Sequence, residues 1–347
     1  MPVELFILAG FLGSGKTTLL LDLLKSDSQG ETGVIVNEAG EIGVDGVVVK
    51  DGADDIPLTL LSNGCVCCSL RSSLVLTVGA MLDAPRPPGA RPLRRIVLET
   101  SGLSRPGPIV ASLADPELAR RGIRVTVVST YDCVRGALNV DEFDEAAAQL
   151  GAAQRVMLTK LDLVAPEATR AHIEVIRGVN PLAQIVADTD RAAAVRQAFA
   201  DSGPAGPAEG GAASLAESTA QGLFGGAPAK AHPRIHVMAG ALRAGASWDD
   251  VAMWLDDLAS ICGDKLLRVK AVLKVADCAE PIHIQSVGAT FGAPRRLVGL
   301  AAHEDICVVI ARDIDAGDIQ AALPDAPIAL SNTKHSAVAQ RSSKVFA

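Results

Sequence analysis

A doubly wound α/β domain followed by a smaller α+β domain is the fold class predicted for this 347-residue sequence, and three observations predict it. Short, apolar, β-branched runs alternate with longer amphipathic ones through the first half. A glycine-rich turn closes the first of those runs. The composition breaks at 201–231, and beyond it the order becomes one strand and a helix, then several strands and a closing helix.

Val3–Ala9, Val34–Val36, Arg95–Leu98, Val125–Val128 and Arg155–Leu158 read as strands, and Thr17–Leu24, Ile109–Leu113 and Pro166–Arg177 as helices. Continuously apolar strands separated by helices imply a mostly parallel sheet covered on both faces, so residues 1–198 read as one domain. Gly, Ala, Pro and Ser dominate the next stretch with no hydrophobic period, which makes 199–232 a flexible linker. In 233–347, Arg234–Met238 reads as a strand. Ser247 caps a helix whose Val251, Trp254, Leu255 and Leu258 share one face. The alternating stretches Leu266–Val275, Ile282–Val287, Arg295–Leu300 and Ile306–Ala311 follow as strands, with a short helix near Asp315–Leu323.

Composition excludes several functions. With 32 Lys+Arg against 40 Asp+Glu the formal charge is −8, and no basic run offers a phosphate-tracking surface, so nucleic acid is not the expected ligand. No apolar stretch approaches the ~20 residues of a bilayer crossing, so no membrane association is expected. The first residues lack a basic n-region and carry Glu4 before the apolar run, which implies cytoplasmic residence.

Gly10-Phe11-Leu12-Gly13-Ser14-Gly15-Lys16-Thr17 fits G-x-x-x-x-G-K-[ST] between a predicted strand and a predicted helix, so the first domain is read as a P-loop NTPase fold. Gly10, Gly13 and Gly15 let backbone N–H groups turn toward phosphate oxygens. Ser14 and Thr18 complete the cradle, Lys16 reaches the β/γ-phosphates, and the Thr17 hydroxyl can ligate Mg²⁺. Glu99, just past the strand Arg95–Leu98, would hold that Mg²⁺ through water or orient the attacking water. Gly102 would let the backbone approach the γ-phosphate. In Thr159-Lys160-Leu161-Asp162, after the strand Arg155–Leu158, the Asp162 carboxylate can accept from guanine N1–H and N2–H₂ while the Lys160 stem lies along the ring. GTP is therefore expected over ATP. Thr159 stands where such motifs often have Asn, so the guanine argument rests mainly on Asp162.

Three of the seven cysteines crowd into Cys65-Val66-Cys67-Cys68, a spacing suited to metal or redox chemistry in a reducing compartment. Cys65 and Cys67 point to one side of an extended segment, and Cys68 joins them if the chain turns at Gly64. Three thiolates leave one position of a tetrahedral Zn²⁺ site for a carboxylate, water or a receiving partner.

GFLGSGKTT, NEAGEIGVD (Asn37–Asp45), GCVCC (Gly64–Cys68), ETSGLSRPGP and TKLD, in this order, resemble the CobW family of P-loop GTPases, relatives of the metal-insertion GTPases that serve urease and hydrogenase. The resemblance spans about residues 3–190, and more loosely the second domain through Arg268-Val269-Lys270 and Gln285-Ser286-Val287. It implies a GTP-hydrolysing metallochaperone that binds Zn²⁺, or a similar ion, at Cys65, Cys67 and Cys68 and delivers it to a client metalloprotein. Carried over by position, Lys16 and Thr17 serve phosphate and Mg²⁺, Glu38 and Glu41 belong to a switch stretch, Glu99 and Gly102 sense the γ-phosphate, and Lys160 with Asp162 bind guanine. Glu41 is the candidate fourth metal ligand, the alternative being a solvent-facing carboxylate. Two other readings stay open: a zinc-regulated GTPase switch and a thiol-redox regulator, neither of which transfers metal. Homo-oligomerisation is left open too.

Ala39 stands where relatives often have an aromatic, Ala271 where Gly is usual, and the histidine-rich tract of some members is missing, HPRIH (His232–His236) being read as incidental. Cys133, Cys262, Cys278 and Cys307 read as small packed hydrophobes. Trp248 and Trp254 read as core or partner contacts.

Overall fold

The computed structural model describes residues 3–27, 30–37, 58–61, 69–86, 91–201, 232–298 and 305–333. The chain divides into two compact units, Met1–Thr169 with Gln184–Gly203, and Arg170–Ala183 with Pro204–Ala347. Residues 202–231 of the expected linker lie outside the described residues.

The first unit is built on seven strands, β1 (Glu4–Gly10), β2 (Thr32–Asn37), β3 (Leu58–Leu61), β4 (Arg95–Glu99), β5 (Arg124–Asp132), β6 (Arg155–Thr159) and β7 (Gln184–Val186). They lie in the order β3-β2-β4-β1-β5-β6-β7, and every neighbouring pair is parallel. The helices along this part of the chain are α1 (Lys16–Ser26), α2 (Ser69–Asp83), α3 (Pro106–Leu113), α4 (Pro116–Arg120), α5 (Gly136–Glu142), α6 (Asp144–Ala152), α7 (Ala168–Val179) and α8 (Arg191–Ala198). All seven residues of β1 are buried, as a central strand covered on both faces requires. Phe6 and Leu8 pack with Leu19, Leu20, Leu23 and Leu24 of α1 and Ala194, Val195 and Ala198 of α8. At about 1.5–3 kcal/mol per buried large side chain, that cluster anchors α1 firmly behind the loop that precedes it. Because β4 and β5 flank β1 while the chain winds outward on either side, the carboxyl end of β1 is the switch point where doubly wound sheets bind ligands.

The second unit carries β8 (Ile235–Leu242), β9 (Leu266–Leu273), β10 (Ile282–Val287), β11 (Thr290–Phe291), β12 (Arg295–Arg296), β13 (Ile306–Arg312) and β14 (Ile328–Asn332). They form an antiparallel sheet ordered β11-β10-β9-β13-β8-β14, with β12 on β10. Helices α9 (Trp248–Cys262) and α10 (Ala316–Ala322) share one core with the sheet. Each starts in a reciprocal capping box, Ser247 with Asp250 and Asp315 with Asp318. Val251, Trp254, Leu255 and Leu258 all face that core, as their spacing predicts. Of the expected strand Arg295–Leu300, the described part pairs only at Arg295 and Arg296, both exposed after Pro294, a residue that cannot donate to a ladder, and residues 299–300 lie outside the described residues. Among the described residues no helix is long and apolar enough to cross a membrane.

Cys133, Cys262 and Cys307 are buried, and Cys278 packs partly against the second core. Burial pushes the Cys133 and Cys307 thiols up to about 12 and Cys262 to about 11, so none is a ready thiolate.

Arg268, Lys270 and His283 lie on the sheet face opposite the α9 core and are all buried. Burial first, then the charges of Lys270, Arg295 and Arg268, brings the His283 imidazole down to about 4 from 6.5. The unfolded chain takes up this proton below pH 6.5 while the folded chain does not until about pH 4, so the associated stability is full above 6.5 and lost as pH falls toward 4. His283→Gln is expected to remove about 2–3 kcal/mol of the loss between pH 7 and pH 4.5. Urea unfolding of both proteins across that range is the check, and parallel pH profiles would refute the assignment.

Candidate functional site

The glycine loop is built by φ angles that side chains resist, +142° at Gly10, +68° at Gly13 and +91° at Gly15. A Cβ on Gly10 would sit 2.1 Å from Thr130 Oγ1, so glycine there is required by space as well as by angle. Gly15 is the N-cap of α1, which aims the first amides of the helix and its positive dipole end into the loop. Lys16 Nζ donates to Gly10 O at 2.9 Å and Phe11 O at 3.2 Å, which holds the ammonium across the loop. Ser14 Oγ is 2.7 Å from Thr130 Oγ1 at the end of β5. Thr18 is exposed on the first turn of α1.

From the neighbouring strand, buried Glu99 accepts through Oε1 from Thr17 Oγ1 at 2.6 Å. A hydroxyl and a carboxylate converging beside a helix N-terminus form an all-oxygen donor set that fits Mg²⁺. The Gly102 backbone runs against the phosphate loop: a Cβ there would be 2.8 Å from Leu12 N and 2.9 Å from Leu12 Cα.

The TKLD segment meets the same loop. Thr159 Oγ1 donates to Ser14 O at 2.8 Å, with Tyr131 O at 3.1 Å, so threonine in the first position of the motif splints the phosphate loop to β6. Lys160 adopts φ 58° and its Nζ pairs with Asp132 Oδ2 at 2.6 Å, which fixes the stem. Asp132 Oδ1 in turn accepts from the backbone of Val134 at 2.8 Å and Arg135 at 3.3 Å. Asp162 stands exposed on the single 3-10 turn Leu161–Leu163, its oxygens open to a ligand.

The structure thus brings Gly10, Gly13, Ser14, Gly15, Lys16, Thr17, Glu99, Gly102, Thr159, Lys160 and Asp162 to one edge of the first sheet. Glu38, Glu41, Cys65, Cys67 and Cys68 lie outside the described residues. Among the described residues no group of three or more His, Cys, Asp or Glu side chains could hold a metal ion. The described flanks are informative: β3 ends at Leu61 and α2 begins at Ser69, so the chain leaves for the cysteines from the same carboxyl edge. β3 is three strands from β1, about 14 Å at ~4.8 Å per strand.

Sequence reading missed Asp132 and Gln149. Asp132 closes a strand as Glu99 does, but it follows Ser129-Thr130-Tyr131, so the apolar run that marks the strand stops at Val128. Gln149, buried in α6, donates through Nε2 to Gly102 O and Ser104 O, both at 2.9 Å, and nothing local in the sequence marks it.

The family model of the CobW/HypB/UreG nucleotide-binding domain matches residues 4–187, and that of the cobalamin synthesis protein cobW C-terminal domain matches 238–326. The chain is 37% identical over 177 residues to the zinc chaperone YjiA of Escherichia coli, covering 51% of this chain and 54% of that protein. It is 31% identical over 195 residues to the zinc-regulated GTPase metalloprotein activator 1 of Schizosaccharomyces pombe, covering 54% and 46%. The chain spans about half the length of the curated relatives it matches. A crystal structure of the Zn(II)-bound YjiA GTPase from E. coli shares the fold, with a TM-score of 0.61 at 22% identity over 94% of this chain and 99% of that one.

Proposed function

This chain belongs to the CobW/HypB/UreG nucleotide-binding family, and on that premise we propose that it hydrolyses GTP and uses the cycle to pass Zn²⁺ to a client metalloprotein. The observation that carries the nucleotide half is the 2.6 Å contact of Thr17 with buried Glu99 beside the Lys16 loop. Lys16 draws charge from the β/γ-phosphates, while the amides at the start of α1 hold the phosphate oxygens. Thr17 and Glu99 would hold Mg²⁺, which when bound neutralises charge developing on the phosphates. Glu99 also orients the attacking water, and Asp162 accepts from the guanine N1–H and N2–H₂.

Cys65, Cys67 and Cys68 take the cargo Zn²⁺ as thiolates, with Glu41 as the fourth ligand. The relatives named as zinc chaperones and the thiol spacing support this half. The strand ends that lead to the switch stretch, the cysteines, Glu99 and the guanine motif share one sheet edge, which supports a coupling of nucleotide state to metal binding. Thiolates bind metal only when deprotonated and convergent, so a small displacement of Cys67 suffices to release the ion.

The test measures turnover of GTP and ATP, and Zn²⁺ affinity, in the wild type and Cys67→Ala. GTP is expected to exceed ATP in kcat/KM by about 10²-fold, a discrimination of roughly 3 kcal/mol. Zn²⁺ affinity is expected to fall more than about tenfold on the substitution. Equal turnover of both nucleotides would sink the guanine assignment, and unchanged Zn²⁺ affinity would sink the metal assignment.

A further inference from the structure

Helix α6 is fastened to both phosphate-facing segments of the first unit. Phe143, its N-cap residue, stacks on Phe11 of the phosphate loop with centroids 4.7 Å apart and planes 28° off parallel. Glu145 pairs with Arg105 at 3.1 Å, and four residues on, on the same helix face, Gln149 donates to Gly102 O and Ser104 O. Both amide hydrogens of Gln149 are used on carbonyls either side of Leu103, a residue that is itself exposed. A flipped amide would set its oxygen against two carbonyl oxygens, so the orientation is dictated by the partners.

The arrangement is asymmetric. Gln149 is 1% exposed, yet its Oε1 has no hydrogen-bond partner, and neither does the buried Ser129 Oγ. Both residues line one small, half-open pocket with Phe11, Ser14 and Tyr131. An amide so held tolerates a buried, unmatched acceptor for the sake of its two donors, which ties it to the Gly102–Ser104 carbonyls.

We propose that Gln149 is a positioning residue: it sets the Gly102–Ser104 backbone against the phosphate loop, so that α6 moves with that segment when GTP is exchanged for GDP. This rests on the GTP-hydrolysing reading above. Gly102 abuts Leu12, Gln149 grips Gly102 from the other side, and the Phe143–Phe11 stack closes the ring of contacts. A shift of the segment is therefore imposed on α6 rather than absorbed by a flexible loop.

The test measures the affinities of GDP and a non-hydrolysable GTP analogue for the wild type and Gln149→Ala, with amide hydrogen exchange of the wild type in both states. The analogue is expected to bind Gln149→Ala about tenfold more weakly, as for the loss of two neutral hydrogen bonds, while GDP stays within about twofold. Amides of 101–105 and 144–152 are expected to gain protection together in the analogue state. Equal losses for both nucleotides, or no loss for either, would mark Gln149 as structural only and overturn the proposal. So would protection gained at 101–105 with none at 144–152, a readout that holds even where the variant fails to fold. A wild-type chain that binds neither nucleotide overturns the GTP reading and this inference with it.

Discussion

Lys16→Ala is expected to lower kcat/KM for GTP by about 10³-fold, equivalent to roughly 4 kcal/mol of transition-state stabilisation, while the fold survives. In the proposed reaction the buried Lys16 ammonium meets the charge that develops on the transferring phosphoryl group, beside a helix N-terminus that already faces the loop, so it needs little reorganisation to act. Its ammonium donates to carbonyls of the loop itself, Gly10 O and Phe11 O. The four leucines that hold α1 against the sheet remain in place. Steady-state hydrolysis with thermal unfolding checks both halves. Turnover within tenfold of the wild type would mean that the lysine does not reach the phosphates.

Legibility in the sequence followed physical cause. Central strands such as Glu4–Gly10 announce themselves because burial on both faces demands unbroken apolar runs, and α9 does so because one face is dry and Ser247 caps it. Helix α6 was silent for the opposite reason: Ala146 to Ala152 are all buried, so no wet face gives a period. The edge strands β3, β7 and β14 carry three to five residues each, and at a sheet edge they lack the two-sided burial that makes equally short inner strands such as β4 and β6 read as apolar runs. In the site, residues that act through the backbone turn or the strand end were legible, because glycine at +φ and a carboxylate after a strand are local signals. Gln149 was not, since its partners lie 45 and 47 positions away along the chain and are carbonyls that any residue would supply. The second role of Thr159 was hidden likewise. Its hydroxyl bonds a loop carbonyl 145 positions away.

Gly102→Ala, on the same physical grounds, is expected to reduce GTP hydrolysis by about 10²-fold and stability by about 1–3 kcal/mol. The added methyl would lie 2.7 Å from Leu12 Cδ2, 2.8 Å from Leu12 N and 2.9 Å from Leu12 Cα. A side-chain tip can rotate away, but a backbone nitrogen cannot, so either the loop tip or the Gly102 segment has to move. Both moves are costly to function: Leu12 immediately precedes the first turn of the phosphate cradle, and Gly102 is pinned behind by Gln149. Displacement of about 1 Å at reacting groups is enough for a loss of this size. Gly79→Ala, in the interior of α2, supplies the control, because the added methyl would meet no heavy atom within 4 Å beyond its own helix backbone. It is expected to leave hydrolysis unchanged and to stabilise the helix by about 0.5–1 kcal/mol. If the two alanine variants behave alike in a hydrolysis assay, close packing of Gly102 on the loop has no bearing on the chemistry.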